Sequence, residues 1–281
     1  MSAVAGKVCV VTGAGSGIGR ALALGLAGRG ARLALSDVDE VGLAGAAEAA
    51  RAAGAEVVPQ RVDVSDREAM TAYAETVAAH FGVVHQLYNN AGIAHSHTVL
   101  ESDYVEYERV FAVNLWGVIH GTKAFLAHLI ASGDGHVTNI SSLNGYLAQD
   151  EMSHYCTSKF AVRGFTETLR IEMLQAGHRV GVTVVHPGGI KTNIATAALD
   201  SARSFGMEVT AEHEARRRMY DEKLLKMDPA QAAEIIIKGV EAGKPRVLVG
   251  NDAKLVDVLV RLLPARYPKL SLALQRRFAK A

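Results

Sequence analysis

The chain alternates between short apolar runs and longer stretches whose apolar positions recur at helical spacing. Lys7-Val-Cys-Val-Val-Thr12 is apolar and β-branched, as a strand buried on both faces of a parallel sheet requires. Ile18 to Arg29 follows with helical spacing. Ala31 to Asp37 repeats the strand pattern, and Val41 to Ala53 is an alanine-rich helix closed by Gly54. Glu56 to Val62, Asp66 to Phe81 and His85 to Asn90 continue as strand, helix, strand. Two longer helical stretches come next, Tyr104 to Ser132 with a break and Ser153 to Ala176, separated by the strand His136 to Ser141. Arg179 to His186 is a strand, Asp228-Pro229 opens the helix Ala230 to Glu241, and Arg246 to Val249 is the last strand. Six to seven strands alternating with helices predict an α/β fold, a doubly wound parallel sheet with helices on both faces. Residues 1–252 are expected to form a single domain. Within it, 190–227 has mixed charge and no clear strand, as a lid would.

Composition narrows the class. An apolar fraction of 49% in 281 residues excludes disorder, and 30 basic against 29 acidic residues leave no global field for nucleic acid. The formal net charge of +1 hides a split, because residues 253–281 hold seven Lys or Arg and only Asp257 as an acid. Leu255, Val258, Leu259, Leu262 and Leu263 form an apolar stripe there, which Pro264 and Pro268 should interrupt. That extension should pack on its own fold or on a neighbouring subunit; reversible contact with anionic membrane is the alternative. Cys9 and Cys156 are too few for a disulfide framework or a zinc site. No signal peptide is evident and no run of 18 apolar residues occurs, so a cytoplasmic location is expected.

Two groups of residues point to chemistry. Gly13, Ser16, Gly17, Ile18 and Gly19 lie between the first strand and the first helix. The spacing is G-x-x-x-G-x-G, not G-x-G-x-x-G, but it meets the same demand: a tight turn and a helix N-terminus aimed at a pyrophosphate. Asp37 ends the second strand, where a carboxylate accepts from ribose hydroxyls and repels a 2′-phosphate; capping of the next helix by Asp37 or Asp39 is the plainer role. No basic residue stands at Ser16 or Val38, so NAD is favoured over NADP. Tyr155 and Lys159 share a helix face, with Ser142 just past the carboxyl end of a strand. A tyrosine with a pKa near 10 needs a neighbouring cation to act as a base at neutral pH.

These residues, with Asp63-Val64, Asn89-Asn-Ala-Gly92, Asn114, Asn139-Ile-Ser-Ser142 and His186-Pro-Gly-Gly-Ile-Lys-Thr192, make the chain resemble a short-chain dehydrogenase/reductase over about residues 5–250. The resemblance implies a Rossmann-like fold and a hydride transfer with a nicotinamide cofactor. It makes Tyr155 the general acid/base, Lys159 the holder of the nicotinamide ribose, Ser142 the group that polarises the substrate carbonyl, and Asn114 a support for a proton relay. It places Asp63 and Val64 at the adenine, Asn90, Ala91 and Gly92 along the cofactor, and Pro187, Gly188, Ile190 and Thr192 at the nicotinamide. Ser142 rather than Ser141 is chosen because it precedes the tyrosine by thirteen residues. The resemblance also implies a homotetramer or homodimer packed through the two long helices.

No metal-ligand motif occurs among the eleven histidines, and His95, His97 and His154 are expected to line the pocket or the surface. Pocket walls are expected from His95 to Val99, from Leu143, Tyr146, Leu147 and Met152, and from the lid with Ile194, Leu199, Phe205 and Met207. Few charges and no cationic clamp point to a lipophilic small-molecule substrate, a secondary alcohol or ketone of steroid, terpene or acyl type. An NADPH-linked carbonyl reductase is the alternative, and a non-enzymatic dinucleotide-binding sensor or membrane-associated scaffold the more distant one.

Overall fold

All five residues of β1 (Val8–Thr12) are buried, and their side chains alternate between two cores. Cys9 and Val11 join one apolar cluster with Leu22, Leu26, Ile236 and Ile237. Val8 and Val10 join the other, with Met70, Tyr73, Phe125 and Leu129. A strand covered on both faces needs no polar side, which is why its sequence is a continuous apolar run. The computed structural model describes residues 3–192 and 225–270, together with Arg218 and Leu272.

Around β1 stand β2 (Arg32–Asp37), β3 (Val57–Arg61), β4 (Gln86–Asn89), β5 (Gly135–Ile140), β6 (Val180–Pro187) and β7 (Arg246–Val249). Every pairing is parallel, in the order β3-β2-β1-β4-β5-β6-β7. The chain winds outward in one direction from β1 and in the other from β4, so a crevice opens between their carboxyl ends. The helices are α1 (Gly17–Ala27), α2 (Glu40–Ala52), α3 (Arg67–Phe81), α4 (Tyr104–Phe111), α5 (Gly117–Ala131), α6 (Ser153–Gln175), α7 (Pro229–Glu241) and α8 (Asn251–Leu262). Asp39, Asp66 and Asp228 cap α2, α3 and α7 by accepting from Val41, Ala69 and Ala230 amides. Asp39, not Asp37, is therefore the cap of α2.

The break expected between Tyr104 and Ser132 is a π turn, Ala112–Trp116, joining α4 to α5. The joined stretch Tyr104–Ala131 contains no uninterrupted run of 18 apolar residues, but by length and composition alone it is long and apolar enough to cross a membrane. Here it lies against the sheet, with Val118, Phe125 and Leu129 buried. The lid residues Ile194, Leu199, Phe205 and Met207 lie outside the described residues.

The C-terminal extension begins as an integral part of the fold. Asp257 on α8 accepts from Arg246 of β7 at 2.6 and 3.0 Å and from Arg261 at 3.1 Å. Tyr146 Oη donates to the Ala253 carbonyl at 2.7 Å. The inward face of α8 is thus Ala253 and Asp257, and the apolar stripe points the other way: Leu255, Val258 and Leu262 are exposed. α8 packs on its own fold as expected, but through Ala253 and Asp257, while the stripe is only partly covered, with Leu259 and Leu263 half-buried. Pro264 follows the end of α8 as expected, but Pro268 sits inside a further helical turn at residues 267–270, where a proline in the first turn loses no hydrogen bond.

The tightest backbone contact is in the turn after β1. A Cβ on Gly19 would overlap the Gly13 carbonyl and approach Asn90 Nδ2, and neither can withdraw without moving a strand end. Gly19→Ala is expected to destabilise the protein by about 2 kcal/mol. Gly45→Ala, where a Cβ meets nothing within 4 Å in the interior of α2, is expected to stabilise by about 0.5 kcal/mol. Denaturant melts of both variants check this contrast, and equal effects would refute it.

Candidate active site

The strand ends set the site. Gly13 and Gly17 adopt φ of 65° and 50°, a left-handed backbone that turns β1 sharply into α1. A Cβ at Gly13 would come within 2.7 Å of Ala91 Cα, so the turn lies directly against the loop after β4. Ser16 stands at the N-cap of α1 without a side-chain hydrogen bond to the helix, which leaves its first amides pointing into the crevice. Asp37 accepts from the Gly15 amide at 2.8 Å and the Asp39 amide at 3.0 Å. Its carboxylate is held at the rim of the turn. These groups fit a dinucleotide: a cradle with no room for side chains, free amides for a pyrophosphate, and a carboxylate where the ribose would lie.

Thr12 does work that the motif alone does not disclose. Its Oγ1 accepts from the amides of Asn90 and Ala91 at 3.0 and 3.1 Å. Asn90 Nδ2 donates back to the Thr12 and Gly13 carbonyls at 3.0 and 3.1 Å. Asn90 thus acts within the described structure as a strap between β1 and β4. Asp63 is exposed, accepting from the Ser65 amide and hydroxyl, while Val64 is buried against Gly117. At the other side Pro187 ends β6, and the Gly189 amide donates to Asp252 at 2.7 Å. A Cβ on Gly188 would strike the same carboxylate. Ile190 is buried and bridges Met227. Thr192 lies over the glycine turn, where a Cβ on Gly17 would come within 3.1 Å of its methyl. A groove beside this turn, between Arg20, Thr192 and Asp228, lies along α1 rather than over Tyr155.

Ser142, Tyr155 and Lys159 come together at the carboxyl end of β5. Ser142 Oγ accepts from the Asn144 amide at 3.1 Å and caps the short turn Leu143–Gly145. Ser141 is turned away, donating to the Lys159 carbonyl at 2.8 Å, so the thirteen-residue spacing selects the serine that faces the tyrosine. A hydrogen bond with Ser142 favours the Tyr155 phenolate, but burial outweighs it and pushes the phenol up to about 12. Lys159 Nζ donates to the Ile140 carbonyl at 3.1 Å and lies 5.6 Å from the Tyr155 ring centroid. Burial pulls Lys159 down to about 8. The lowered tyrosine pKa expected from the sequence is not what this geometry produces, because both groups are buried and the ammonium is aimed at a carbonyl.

Asn114, fully buried in the π turn, accepts from the Ile93 amide at 2.8 Å and donates to the Ile93 carbonyl and Ser158 Oγ at 2.9 and 3.1 Å. A Cβ on Gly92 would lie 3.3 Å from both Asn114 Oδ1 and Lys159 Nζ, so these two side chains flank the same backbone. Tyr146 is no pocket wall. It is buried between His186, with ring centroids 5.0 Å apart, and the Arg246 guanidinium.

His97 and Met152 pair as an isolated bridge, with the His97 amide donating to Glu151 at 2.9 Å, and so join two of the expected wall segments. Glu151 takes a φ of 58° just before α6, a strained conformation for a residue with a Cβ. His95 and His154 are buried rather than lining a surface, and they meet Glu106, which nothing in the sequence singled out. Three separate elements supply these side chains, so no local spacing could have joined them.

Comparison with known proteins agrees with this geometry. The family model described as short chain dehydrogenase matches residues 7–202. The putative oxidoreductase SadH of Mycobacterium tuberculosis is 52% identical over 270 residues, covering 96% of this chain and 95% of its own. Mouse estradiol 17-beta-dehydrogenase 11 is 29% identical, over 94% of this chain and 82% of that protein. A short chain dehydrogenase/reductase from Burkholderia phymatum in complex with NAD superposes with a TM-score of 0.85 at 32% identity, covering 97% of both chains. The chain belongs to the short-chain dehydrogenase/reductase family and is an oxidoreductase with a Rossmann-like fold.

Proposed function

We propose that this oxidoreductase transfers a hydride between NAD and a lipophilic secondary alcohol or ketone, with Tyr155 as general acid/base. The observation that carries the reading is the meeting of Ser142, Tyr155 and Lys159 beside the crevice between β1 and β4. When bound, the nicotinamide supplies the hydride acceptor or donor. The chain's own residues bind, orient and move the proton. Gly13, Gly17 and Gly19 leave room for the pyrophosphate, and Asp37 favours a free 2′-hydroxyl over a 2′-phosphate. The Burkholderia relative's complex with NAD supports the same choice.

Tyr155 holds its proton at neutral pH and gives it to a carbonyl oxygen that Ser142 polarises. In the oxidative direction the phenol must first ionise, and lifting a pKa from 10 to about 12 costs about 3 kcal/mol. Oxidation should therefore accelerate in alkali. The name of the mouse relative, a dehydrogenase of estradiol, and the scarcity of charge in the expected pocket walls support a lipophilic substrate. We further propose a homodimer or homotetramer through α4–α5 and α6, where Trp116, Ile171 and Leu174 are exposed. The outward stripe of α8 and the basic residues beyond it suit an anionic membrane surface.

Following NADH absorbance across a panel of steroid, terpene and acyl-chain alcohols tests the reading; turnover of polyols or sugars alone would exclude it. Tyr155→Phe should lose at least about 10²-fold in turnover while keeping its affinity for NAD, measured by fluorescence titration. Preserved turnover would remove the acid/base role. Ser142→Ala deletes a hydrogen bond to the phenolate, so the alkaline rise of the oxidation rate should move to higher pH; an unmoved profile would contradict it.

Lys159 offers a test in stability. Its folded pKa of about 8 lies below the ordinary 10.5, so the unfolded chain holds the proton more tightly. The destabilisation is complete below pH 8 and disappears as pH rises through 10.5. Lys159→Met should stabilise the fold by on the order of 3 kcal/mol at pH 7, and by little above 10.5, while abolishing turnover. Melts at several pH values check it, and a gain independent of pH would refute it.

A further inference from the structure

We propose that His95, Glu106 and His154 form a binding site for a divalent transition metal, zinc by the chemistry of its donors. His95 follows the Asn90-Ala91-Gly92 turn, Glu106 lies in the first turn of α4, and His154 in the first turn of α6. One ligand atom from each lies within 4.8 Å of the others. The three are 3%, 5% and 0% exposed, so they meet in the interior. His95 Nε2 stands 3.2 Å from Glu106 Oε1, and His97 Nδ1 lies 3.5 Å from the same oxygen. Glu106 Oε2 and His154 Nε2 have no hydrogen-bond partner among the described residues. The His154 ring lies 5.2 Å from that of His95 and 5.4 Å from that of Tyr107, centroid to centroid, which closes the cluster on its inner side.

A buried carboxylate with one oxygen lacking a hydrogen-bond partner among the described residues is costly unless a cation offsets it. A divalent cation does so while using the open nitrogens. Two imidazoles and one carboxylate are a zinc-type set, whereas calcium and magnesium demand oxygen ligands. Tetrahedral ligation needs donors roughly 3.3 Å apart. The His95–Glu106 pair already has that spacing at 3.2 Å, and the third donor has only to close from within 4.8 Å. His97, with a side chain 15% exposed, marks the side from which an ion would enter.

One contact opposes binding and gives it a consequence. His154 Nδ1 accepts from the Tyr155 amide at 2.9 Å, which places the ring proton on Nε2. Ligation through Nε2 moves that proton to Nδ1 and breaks the contact, so the first turn of α6 adjusts beside Tyr155. The metal is thereby linked to the position of the tyrosine without touching substrate.

The full-length protein, stripped by chelator and dialysed against zinc sulfate alone, should retain one zinc per chain by elemental analysis. Cobalt(II) in its place should give the intense visible bands of tetrahedral ligation. Glu106→Gln should weaken zinc binding by at least about tenfold in competition with a chromophoric chelator. His178→Asn, which removes an exposed histidine, should leave it unchanged. Circular dichroism checks that Glu106→Gln folds; if it does not, the cobalt spectrum of the unmutated protein decides. Lack of stoichiometric uptake, weak octahedral cobalt bands, or equal loss in both variants would overturn the proposal, leaving a metal-free His–Glu pair or adventitious surface binding.

Discussion

The site depends on how β1 and β4 are held together while their carboxyl ends part. Adjacent parallel strands whose connections leave in opposite directions open a crevice at that point. The Thr12 hydroxyl, accepting two amides, and the Asn90 amide, donating to two carbonyls, fasten the edges of this opening. With those four contacts in place, Gly13 is pressed on Ala91 and α1 points its first amides into the gap. Every later part of the site takes its position from this junction: Gly92 brings Asn114 and Lys159 to a common backbone, and Thr192 reaches back to Gly17.

The chemical groups stand in surroundings that oppose their charges. Tyr155 and Lys159 are both withdrawn from water, and burial is the largest cause of the shift in each. A buried lysine donating to a carbonyl lowers stability, as does the positive φ at Glu151. Such strains gather around α6 and the loop before it, while the two apolar cores pack on either side of the sheet. The architecture separates a strongly packed support from a loosely compensated centre.

Much of the fold was legible because its signals are local. The run at β1, the capping aspartate at 228, and the glycines at 13, 17 and 19 each declare a backbone requirement within a few residues. The meeting of Ser142, Tyr155 and Lys159 was also legible, through helical spacing and the end of a strand. Other features depend on distant neighbours. Tyr146 looks like a pocket residue until Arg246 and Ala253, a hundred or more positions on, draw it into the interior. The stripe of α8 has the period of a buried face, but Asp257, paired with Arg246, takes the inward side and leaves Leu255, Val258 and Leu262 exposed. Glu106 was invisible because a single acid in a charged stretch has no pattern. The tyrosine's ionisation could not be read from its four-residue spacing to lysine, since it depends on burial and on where the ammonium points.

The π turn at Ala112–Trp116 has a consequence for how a long helix can serve two surfaces. Val110 and Leu129 are both buried, yet they stand nineteen positions apart. At 3.6 residues per turn that separation leaves them about 100° out of phase in an unbroken helix, and they pack on different surfaces, α4 on α6 and α5 on the sheet. One additional residue in a wider turn shifts the phase of α4 against α5 by about the same angle. The distortion acts as a phase corrector between two helical segments. A deletion of a single residue here would rotate the whole of α4 against α5, where the same deletion in a surface loop would pass almost unnoticed.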